Sequence, residues 1–345
     1  MTHRFPIKEI ARQAGLGTAT VDRALNGRPH VSPQTRNRVA AAIRELEAQE
    51  SLLTARGRKL FLDIVVEAPR RFTREVRAAA EAALAQVAGA VIRPRFYFQE
   101  VMSEEEVVAN LERIRRRGSQ GVCVKVRDTP AIRATIDGLV ASGIPIFTLV
   151  TDLPNTARTA YFGMDNVNAG RTAAYLLAQA LPRPDATVLT VRSRDEFLGE
   201  AERHDAFRAE LAALRPNCRI VGVSGGAGLP GETKLQVSRI LRSEGRVDGV
   251  YSIGGGNAAI LETLADFRNE GVPFVAHDLD WENVGFLRNN AISFVLSHDL
   301  THDMRTLYAA LTASHGLASW DHPSFSSDVR IVTPYNIPDT PYADF

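Results

Sequence analysis

The chain has 345 residues, of which 45% are hydrophobic and 23% are charged, as in an ordinary soluble protein with room for a small domain and a large one. No apolar run approaches the length of a membrane span, and the N-terminal MTHRFPIKEI lacks the apolar core of a signal peptide, so we expect a cytoplasmic protein. Cys123 and Cys218 are isolated and have no metal-ligand spacing, which predicts two reduced, buried thiols and no metal site.

The net charge of +1 conceals an uneven distribution along the chain. Residues 1–58 carry ten Lys and Arg against five Asp and Glu, whereas the remaining residues carry 31 against 35. A basic N-terminal segment on a mildly acidic body is typical of a protein that reads nucleic acid, although a solvated basic helix face has the same composition.

The first segment of the chain predicts two short helices around a tight turn. The apolar residues of Ile7–Ala14 fall on one helical face, and Gly15 can take the positive φ that ends a helix. Val21 and Leu25 repeat the helical spacing, and Thr18 stands where hydroxyls favour a helix start. This pattern indicates a helix-turn-helix, whose second helix can enter a DNA major groove; the alternative is a surface helical hairpin in an enzyme.

A third helix strengthens the first interpretation. Ser32 is suited to an N-cap with Pro33 at the first helical position, and the apolar residues of Val39–Leu46 have helical spacing. With the motifs A-x-x-A-G-L-x-x-x-T-V-D-R-A-L-N and H-V-S-P-x-T-R-x-R-V, residues 7–46 resemble the lactose-repressor (LacI) family of bacterial transcription regulators.

DNA contacts are therefore expected from the second helix and the turn after it. Arg23 is the one side chain on its exposed face that can fork onto a guanine edge, and Thr18 and Ala19 are short enough to bring the backbone close. The predicted DNA-contacting residues are Thr18, Ala19, Thr20, Arg23, Asn26 and His30.

Residues 47–59 are expected to link the head to the body. Members of the family usually carry a hinge helix of the type Y-x-P-N-x-x-A-x-x-L here, whose Leu wedges into the minor groove. This sequence lacks the Pro-Asn pair. Leu52 and Leu53 are candidates for the wedge, but a plain basic linker fits the residues equally well.

From Leu60 the sequence takes the pattern of an α/β protein. LFLDIVVEA is a continuous apolar run, as expected for a strand buried on both faces. Repeated βα units predict parallel sheets covered by helices, and their number predicts two doubly wound α/β subdomains. The predicted helices cover 72–87, 103–117, 129–142, 168–181, 198–214, 231–243, 258–271 and 281–289, and the later strands cover 91–98, 121–126, 144–150, 186–192, 219–223, 249–253, 274–276 and 293–296.

This body resembles the periplasmic sugar-binding-protein module of the same family. The resemblance implies a DNA-binding head and linker over 1–58 and an effector-binding and dimerisation domain over 59–345. It also implies two lobes that the chain connects by three crossings, which we place near Gly163, Ala291 and His322. The first lobe is then expected over 60–163 and 292–322, and the second over 164–291 and 323–345.

A ligand is expected between the lobes, because doubly wound sheets bind ligands beyond the carboxyl ends of their strands. Carboxylates and Arg hydrogen-bond to vicinal hydroxyls, and an aromatic ring such as Phe72 packs on a sugar face, so the polar residues at these strand ends suit a hydroxyl-rich ligand. Arg127 and Asp128, which follow a predicted strand, belong to this set.

The resemblance adds specific positions. Arg203 in E-A-E-R-H-D-A-F matches the Arg that clamps sugar hydroxyls, Asp165 and Asp278 match acidic residues of the cleft, and His298 stands where relatives often have Gln. Asp165 and Asp278 would also serve as plain helix N-caps. The turn Gly254-Gly255-Gly256-Asn257 replaces the usual Asn-Asp. The predicted effector-binding residues are Phe72, Arg127, Asp128, Asp165, Arg203, Gly255, Asn257, Asp278 and His298.

These features predict a homodimeric, effector-responsive transcription factor that represses a sugar or polyol catabolic operon. The sequence has no G-x-S-x-G, H-E-x-x-H or C-x-x-C motif, so we predict no enzymatic activity, no metal and no cofactor. The alternatives are a regulator that responds to a non-sugar effector such as a nucleobase, and a sugar-modifying enzyme with a DNA-binding head.

The charge of the effector is a separate question. Cationic residues are dense near the predicted cleft, among them Arg71, Lys125, Arg127, Arg194 and Arg203. A bidentate Arg in a shielded cleft favours a carboxylate or phosphate, so a sugar acid or sugar phosphate is an alternative to a neutral sugar.

Overall fold

The computed structural model describes residues 5–29, 31–55, 58–87, 89–320 and 325–338. Its N-terminal part is a three-helix head made of α1 (Ile7–Ala14), α2 (Thr18–Leu25) and α3 (Pro33–Ala55). Gly15 ends α1 in the left-handed conformation with a φ of 59°, and its N–H donates to the carbonyls of Ala11 and Arg12. The head has its own apolar core, in which Ile10, Val21 and Val39 are buried.

The third helix is longer than the sequence predicts. α3 continues through residues 47–55, so this part of the expected linker is helical and continuous with the head. The side chains of Leu52 and Leu53, which we predict as wedge candidates, lie outside the described residues, as do Arg56 and His30.

The body alternates strands and helices as predicted. Its first part is β1 (Lys59–Glu67), α4 (Arg70–Leu84), β2 (Val91–Gln99), α5 (Glu104–Arg117), β3 (Gly121–Lys125), α6 (Pro130–Ala141), β4 (Ile146–Leu149) and β5 (Ala160–Met164). The next part is α7 (Asn166–Ala180), β6 (Thr187–Val191), α8 (Leu198–Leu214), β7 (Arg219–Val223), α9 (Pro230–Glu244), β8 (Gly249–Ser252), α10 (Asn257–Asp266), β9 (Phe274–His277), α11 (Trp281–Arg288) and β10 (Phe294–Ser297). The chain then forms α12 (Leu300–Ser314), β11 (Phe325–Ser327) and β12 (Arg330–Val332).

The strands form two six-stranded sheets, one in each lobe. Their orders are β11-β5-β4-β3-β1-β2 and β12-β10-β9-β8-β6-β7. The pairs of the first sheet are parallel, and in the second sheet β10 and β12 are antiparallel. The central strand β1 is buried from Leu62 to Glu67, which explains why its sequence is continuously apolar rather than alternating. The predicted fold class of two doubly wound α/β subdomains is confirmed.

The crossings between the lobes differ in part from the predicted ones. The first lies just after β5, close to the predicted Gly163. The second lies after β10 and not near Ala291, because β10 pairs with β9 in the second sheet while α12 packs on α4 in the first lobe. The third lies between β11 and β12 and not near His322, because β11 pairs with β5. The elements β5, α12, β11 and β12 are absent from the sequence-based assignment.

The placement of the strand ends positions the candidate site. β1 and β3 of the first lobe end at Glu67 and Lys125, and β6, β8 and β9 of the second lobe end at Val191, Ser252 and His277. Among the helices of the described residues, none is long and apolar enough to cross a membrane.

Candidate functional site

The outer face of α2 is the candidate DNA-reading surface. Thr18, Ala19 and Arg23 are exposed, Thr20 is half-buried, and Val21 holds the opposite face against the head core. Arg23 makes no hydrogen bond or ion pair with the residues that the structure describes, so its guanidinium stays available. The helix begins at Thr18, and its N-cap is Gly17, so Thr18 is not the capping residue that the sequence favours.

Asn26 has a local partner. Its amide donates to the carbonyl and to the carboxylate of Asp22, each at 2.9 Å, and Arg28 lies 3.3 Å from the same carboxylate. Asn26 therefore supports the end of α2 in this conformation. A DNA contact through its amide requires that this pair opens.

A cavity lies between the two lobes at the carboxyl ends of the strands. It has about 590 Å³ of empty space, counted out to where it opens to solvent, and side chains leave about 40 Å³ of this to the centres of water molecules. Its lining combines residues of both lobes: Glu67, Phe72, Lys125, Val150 and Thr151 from the first, and Ser193, Arg194, Phe197, Glu200, Arg203 and Asp278 from the second.

Arg203 is the cavity residue with the clearest unmet hydrogen-bonding capacity. Its Nε donates to Asn166 Oδ1 at 2.8 Å, while its Nη2 is buried without a hydrogen-bond partner among the described residues. Arg203 lies on α8, which approaches α7 closely because Gly170 has no side chain; a Cβ there would overlap the Arg203 carbonyl. A buried guanidinium donor without an acceptor is costly, which marks this atom as a binding group.

Glu67 brings the complementary acceptor to the same cavity. Its Oε2 accepts from Arg127 Nε at 3.0 Å. Its Oε1 is buried without a hydrogen bond among the described residues, although Arg194 Nε lies 3.5 Å away as an ion-pair partner. Glu67 is the last residue of β1, and the sequence analysis did not select it. The signal for it was a carboxylate that closes an otherwise apolar strand.

Lys125 occupies the centre of the cavity wall. Its ammonium lies 4.1 Å from the ring centre of Phe197 and 5.7 Å from that of Phe72, and it donates to the Glu67 carbonyl at 3.2 Å. Burial lowers the pKa of Lys125, and the nearby carboxylates of Glu200, Asp278 and Glu67 partly oppose this shift. The aromatic rings and the cation form a ready-made face for a small polar ligand.

Glu200 completes the polar lining. Its carboxylate accepts from the Ser193 N–H at 2.7 Å and from the Ser193 hydroxyl at 2.5 Å. Gly254 makes this arrangement possible, because a Cβ at that position would overlap both Ser193 and Glu200. The glycine turn is therefore a packing requirement of the cavity wall.

Backbone strain concentrates around this cavity. Val150, Ala227 and Asp278 have positive φ angles of 65°, 51° and 67°, and all three line it. Non-glycine residues adopt this conformation at a cost, and such residues cluster at ligand sites.

The two lobes are also held together by direct polar contacts across the cavity. Arg71 of α4 lies 2.8 Å from Asp280 of the second lobe, and both side chains are largely buried. Arg71 crosses above Gly255, where a Cβ would overlap its guanidinium. The Asp128 N–H donates to the Glu196 carbonyl at 2.9 Å, and the Gly199 N–H donates to Thr151 Oγ1 at 3.1 Å. This conformation is therefore closed.

A second cavity lies beside the first, next to the crossing segments. It shares Phe72 and Asp278 with the first cavity and has about 1580 Å³ of empty space, counted out to solvent. His298, which the sequence predicts as an effector contact, lines this second cavity and not the first. The predicted effector residues are thus divided between two adjoining spaces.

Five of the predicted effector residues are not part of the first cavity's described lining. Arg127 is held by Glu67 and by the Met102 carbonyl. Asp128 accepts from Arg133 at 2.6 Å. Asp165 caps α7 by accepting from the Asn168 N–H at 2.9 Å, so the capping alternative describes its observed contact. Gly255 packs under Arg71, and Asn257 donates to Asn283 Oδ1 at 2.7 Å.

The predicted residues Phe72, Arg203 and Asp278 do meet in the first cavity. Sequence reasoning missed Glu67 and Thr151 as lining residues, because their roles depend on which strand ends lie opposite each other. No cluster of three or more His, Cys, Asp or Glu side chains suited to a metal ion occurs among the residues described.

Two family models match the chain. Residues 6–48 match the bacterial regulatory proteins of the lacI family, and residues 64–313 match the periplasmic binding protein domain. The chain is also similar to the HTH-type transcriptional regulator GntR of Pseudomonas aeruginosa, with 27% identity over 278 residues, which are 76% of each protein.

Solved structures share the fold of the body. A putative LacI transcriptional regulator from Bacteroides fragilis has a TM-score of 0.71 at 17% identity and is similar over 81% of this chain and 98% of that chain. An ABC transporter solute-binding protein from Burkholderia graminis, solved in complex with D-arabinose, has a TM-score of 0.73 at 18% identity, over 81% of this chain and 97% of that chain.

Proposed function

We propose a function that proceeds from the family: this chain belongs to the lacI family of bacterial regulatory proteins and carries a periplasmic-binding-protein domain behind its DNA-binding head. It is a ligand-responsive transcriptional regulator. In the proposal it is a cytoplasmic repressor, in which α2 reads the operator and the cavity between the lobes binds the effector. The observation that supports an effector in this cavity is the buried Arg203 Nη2, which lacks an acceptor among the described residues.

The effector that we propose is a neutral sugar or polyol. Arg203 offers a donor and Glu67 Oε1 an acceptor on the same cavity, and a hydroxyl group both accepts and donates. An anion is less suited, because most of the nearby cations already have carboxylate partners. These ion pairs are Arg71 with Asp280, Arg127 and Arg194 with Glu67, Arg133 with Asp128, and Arg192 with Asp195.

The relatives support this class of effector without identifying the molecule. The B. graminis protein with the same body fold was solved with D-arabinose, a neutral sugar. In the proposal, sugar binding changes the closure of the lobes and so the placement of two heads in a homodimer. A coupling of about 1–3 kcal/mol between effector and operator is typical of such proteins.

We also propose that the protein binds its ligand without converting it. The acidic groups of the cavity are engaged in structural pairs, as Glu67 is with Arg127 and Glu200 is with Ser193. Incubation with the sugar that binds, followed by product analysis, is expected to show no turnover.

Thermal-shift screening tests the effector class. The panel contains neutral monosaccharides, including D-arabinose, D-glucose and D-galactose, their uronic acids and phosphates, and purine bases. A neutral sugar is expected to raise the melting temperature and to change affinity for a double-stranded site selected from random DNA. Stabilisation by a purine or a sugar acid alone would overturn the proposed class, and an effect on melting without an effect on DNA binding would overturn the regulatory role.

A further inference from the structure

The second cavity contains a buried pair that the first cavity does not explain. His298 follows β10 at the second crossing, and its side chain is 2% exposed. Its Nδ1 lies 2.6 Å from Asp303 Oδ2, and Asp303 is completely buried in the first turn of α12. His298 Nε2 has no hydrogen-bond partner among the described residues. The pair therefore joins the second lobe to the first and keeps one ring nitrogen available beside a cavity.

Asp303 determines which nitrogen is available. An ionised carboxylate only accepts hydrogen bonds, so the hydrogen shared with Asp303 is on His298 Nδ1. The start of α12 favours negative charge at Asp303, because the first turn of a helix presents unpaired N–H groups. Nε2 is then an acceptor in the neutral ring and a donor in the protonated ring.

The surroundings decide which ligand group suits Nε2. Ser327 Oγ lies 3.3 Å from Nδ1 and leaves Nε2 unoccupied. Asp278 and Asp299 also line the cavity, and Arg330, a nearby cation, is paired with Asp299 at 3.1 Å. With Asp303 behind the ring, this region repels an anion. A hydroxyl satisfies Nε2 in either protonation state of the ring, because it both donates and accepts.

We propose that His298, positioned by Asp303, is a specificity-determining contact for one hydroxyl of the effector, which extends from the first cavity past Phe72 and Asp278 into the second. This inference rests on the proposed neutral sugar or polyol. Because β10 and α12 flank the second crossing, the contact places the effector against the segment about which the lobes move.

Nitrogen NMR on the full chain labelled in its imidazole rings tests the pair directly. His298 is assigned by the resonances lost in His298→Gln. In the wild-type protein the Nδ1 of His298 is expected to carry the hydrogen shared with Asp303. Addition of the tightest-binding neutral sugar of the panel, for example D-arabinose, is expected to shift the His298 Nε2 resonance and to leave that of His315, which pairs with the Gln120 carbonyl at 2.6 Å, unchanged.

Deoxy analogues of the same sugar identify the hydroxyl and need no variant. One analogue is expected to lose roughly tenfold in affinity, as for a hydrogen bond to a buried polar group, and to leave His298 Nε2 unshifted. On His298→Phe this analogue and the parent sugar are expected to bind equally. His298→Gln, which keeps an amide in reach, is expected to recover part of the preference.

Asp303→Asn and Asp63→Asn form a matched pair. Asp63 is also completely buried in the first lobe and lies 2.6 Å from Arg117, away from either cavity. Both variants are expected to lose stability, but Asp303→Asn alone is expected to reduce the preference for the parent sugar and to alter the His298 resonances.

The outcomes separate this inference from the proposed function. If no neutral sugar binds the wild-type protein, the proposed function fails and this inference fails with it. If a sugar binds, but every deoxy analogue keeps its affinity and His298 stays unperturbed, the inference alone is overturned. A neutral His298 that carries its hydrogen on Nε2 would also overturn it.

Discussion

Arg23 is the residue on which sequence-specific DNA reading is expected to depend. It is exposed on α2 and makes no ion pair with the residues that the structure describes. Arg23→Ala is expected to weaken binding to the selected operator by about 1–3 kcal/mol, because a bidentate Arg-guanine contact is worth that much. Competition binding against sites changed at one guanine per half-site measures the loss of discrimination.

Arg28→Ala is the matched control for this change. It removes the same charge from the same head, but the Arg28 guanidinium pairs with Asp22. It is expected to lower affinity for all sequences alike and to reduce the salt dependence. Equal loss of discrimination in both variants would contradict the assignment of Arg23 as the reader.

Arg203 is the residue on which effector affinity is expected to depend. Its Nη2 has no acceptor among the described residues, while Nε is held by Asn166. Arg203→Lys keeps the charge and loses the fork, so affinity for the neutral sugar is expected to fall roughly tenfold or more. Calorimetry measures this loss. Arg192→Lys, which changes an arginine paired with Asp195 outside the cavity lining, is the control, and an equal loss there would contradict the assignment.

At the scale of elements, α4 and the start of α11 are joined by Arg71 and Asp280. This pair spans the lobes and is nearly buried, so removing one charge leaves the other without compensation. Arg71→Gln and Asp280→Asn are both expected to open the cleft, and small-angle scattering is expected to show a larger radius of gyration. Asp280→Asn is informative because Asn still caps α11.

Gly255→Ala gives a steric test of the same contact. The added Cβ would displace the Arg71 guanidinium, and the positive φ of 84° adds strain. It is expected to open the cleft as Arg71→Gln does, whereas Arg74→Gln on the exposed face of α4 is expected to leave the scattering unchanged. Wild-type scattering from all three cleft variants would show that the pair does not hold the lobes.

At the scale of the whole molecule, the head and the body have separate apolar cores. The head cluster contains residues up to Leu46, and the body clusters begin at Leu60. Deletion of residues 1–58 is therefore expected to leave a folded dimer that binds the sugar and not the operator. Sedimentation, thermal shift and DNA binding measure the three properties. An unfolded product, or one that retains specific DNA affinity, would contradict the boundary.

Much of the fold follows from local sequence. Helical spacing and Gly15 predict the head, because an apolar face and a positive-φ turn are set by residues a few positions apart. The apolar run that begins at Leu60 and the βα alternation predict parallel sheets for the same reason. The motif around Arg203 located a cavity residue because it resembles a family pattern.

What the tertiary structure decided are the partners that lie far apart in the chain. β10 was predicted as a strand, but its sheet is set by hydrogen bonds to β9, so the crossing moved. Arg127 and Arg203 look alike in the sequence, yet Glu67, sixty residues away, engages Arg127, while the Nη2 of Arg203 has no described acceptor. His298 gains its chemistry from Asp303 because the crossing brings α12 back to the end of β10. Local patterns specify elements, whereas the pairing of buried charges depends on how the elements pack.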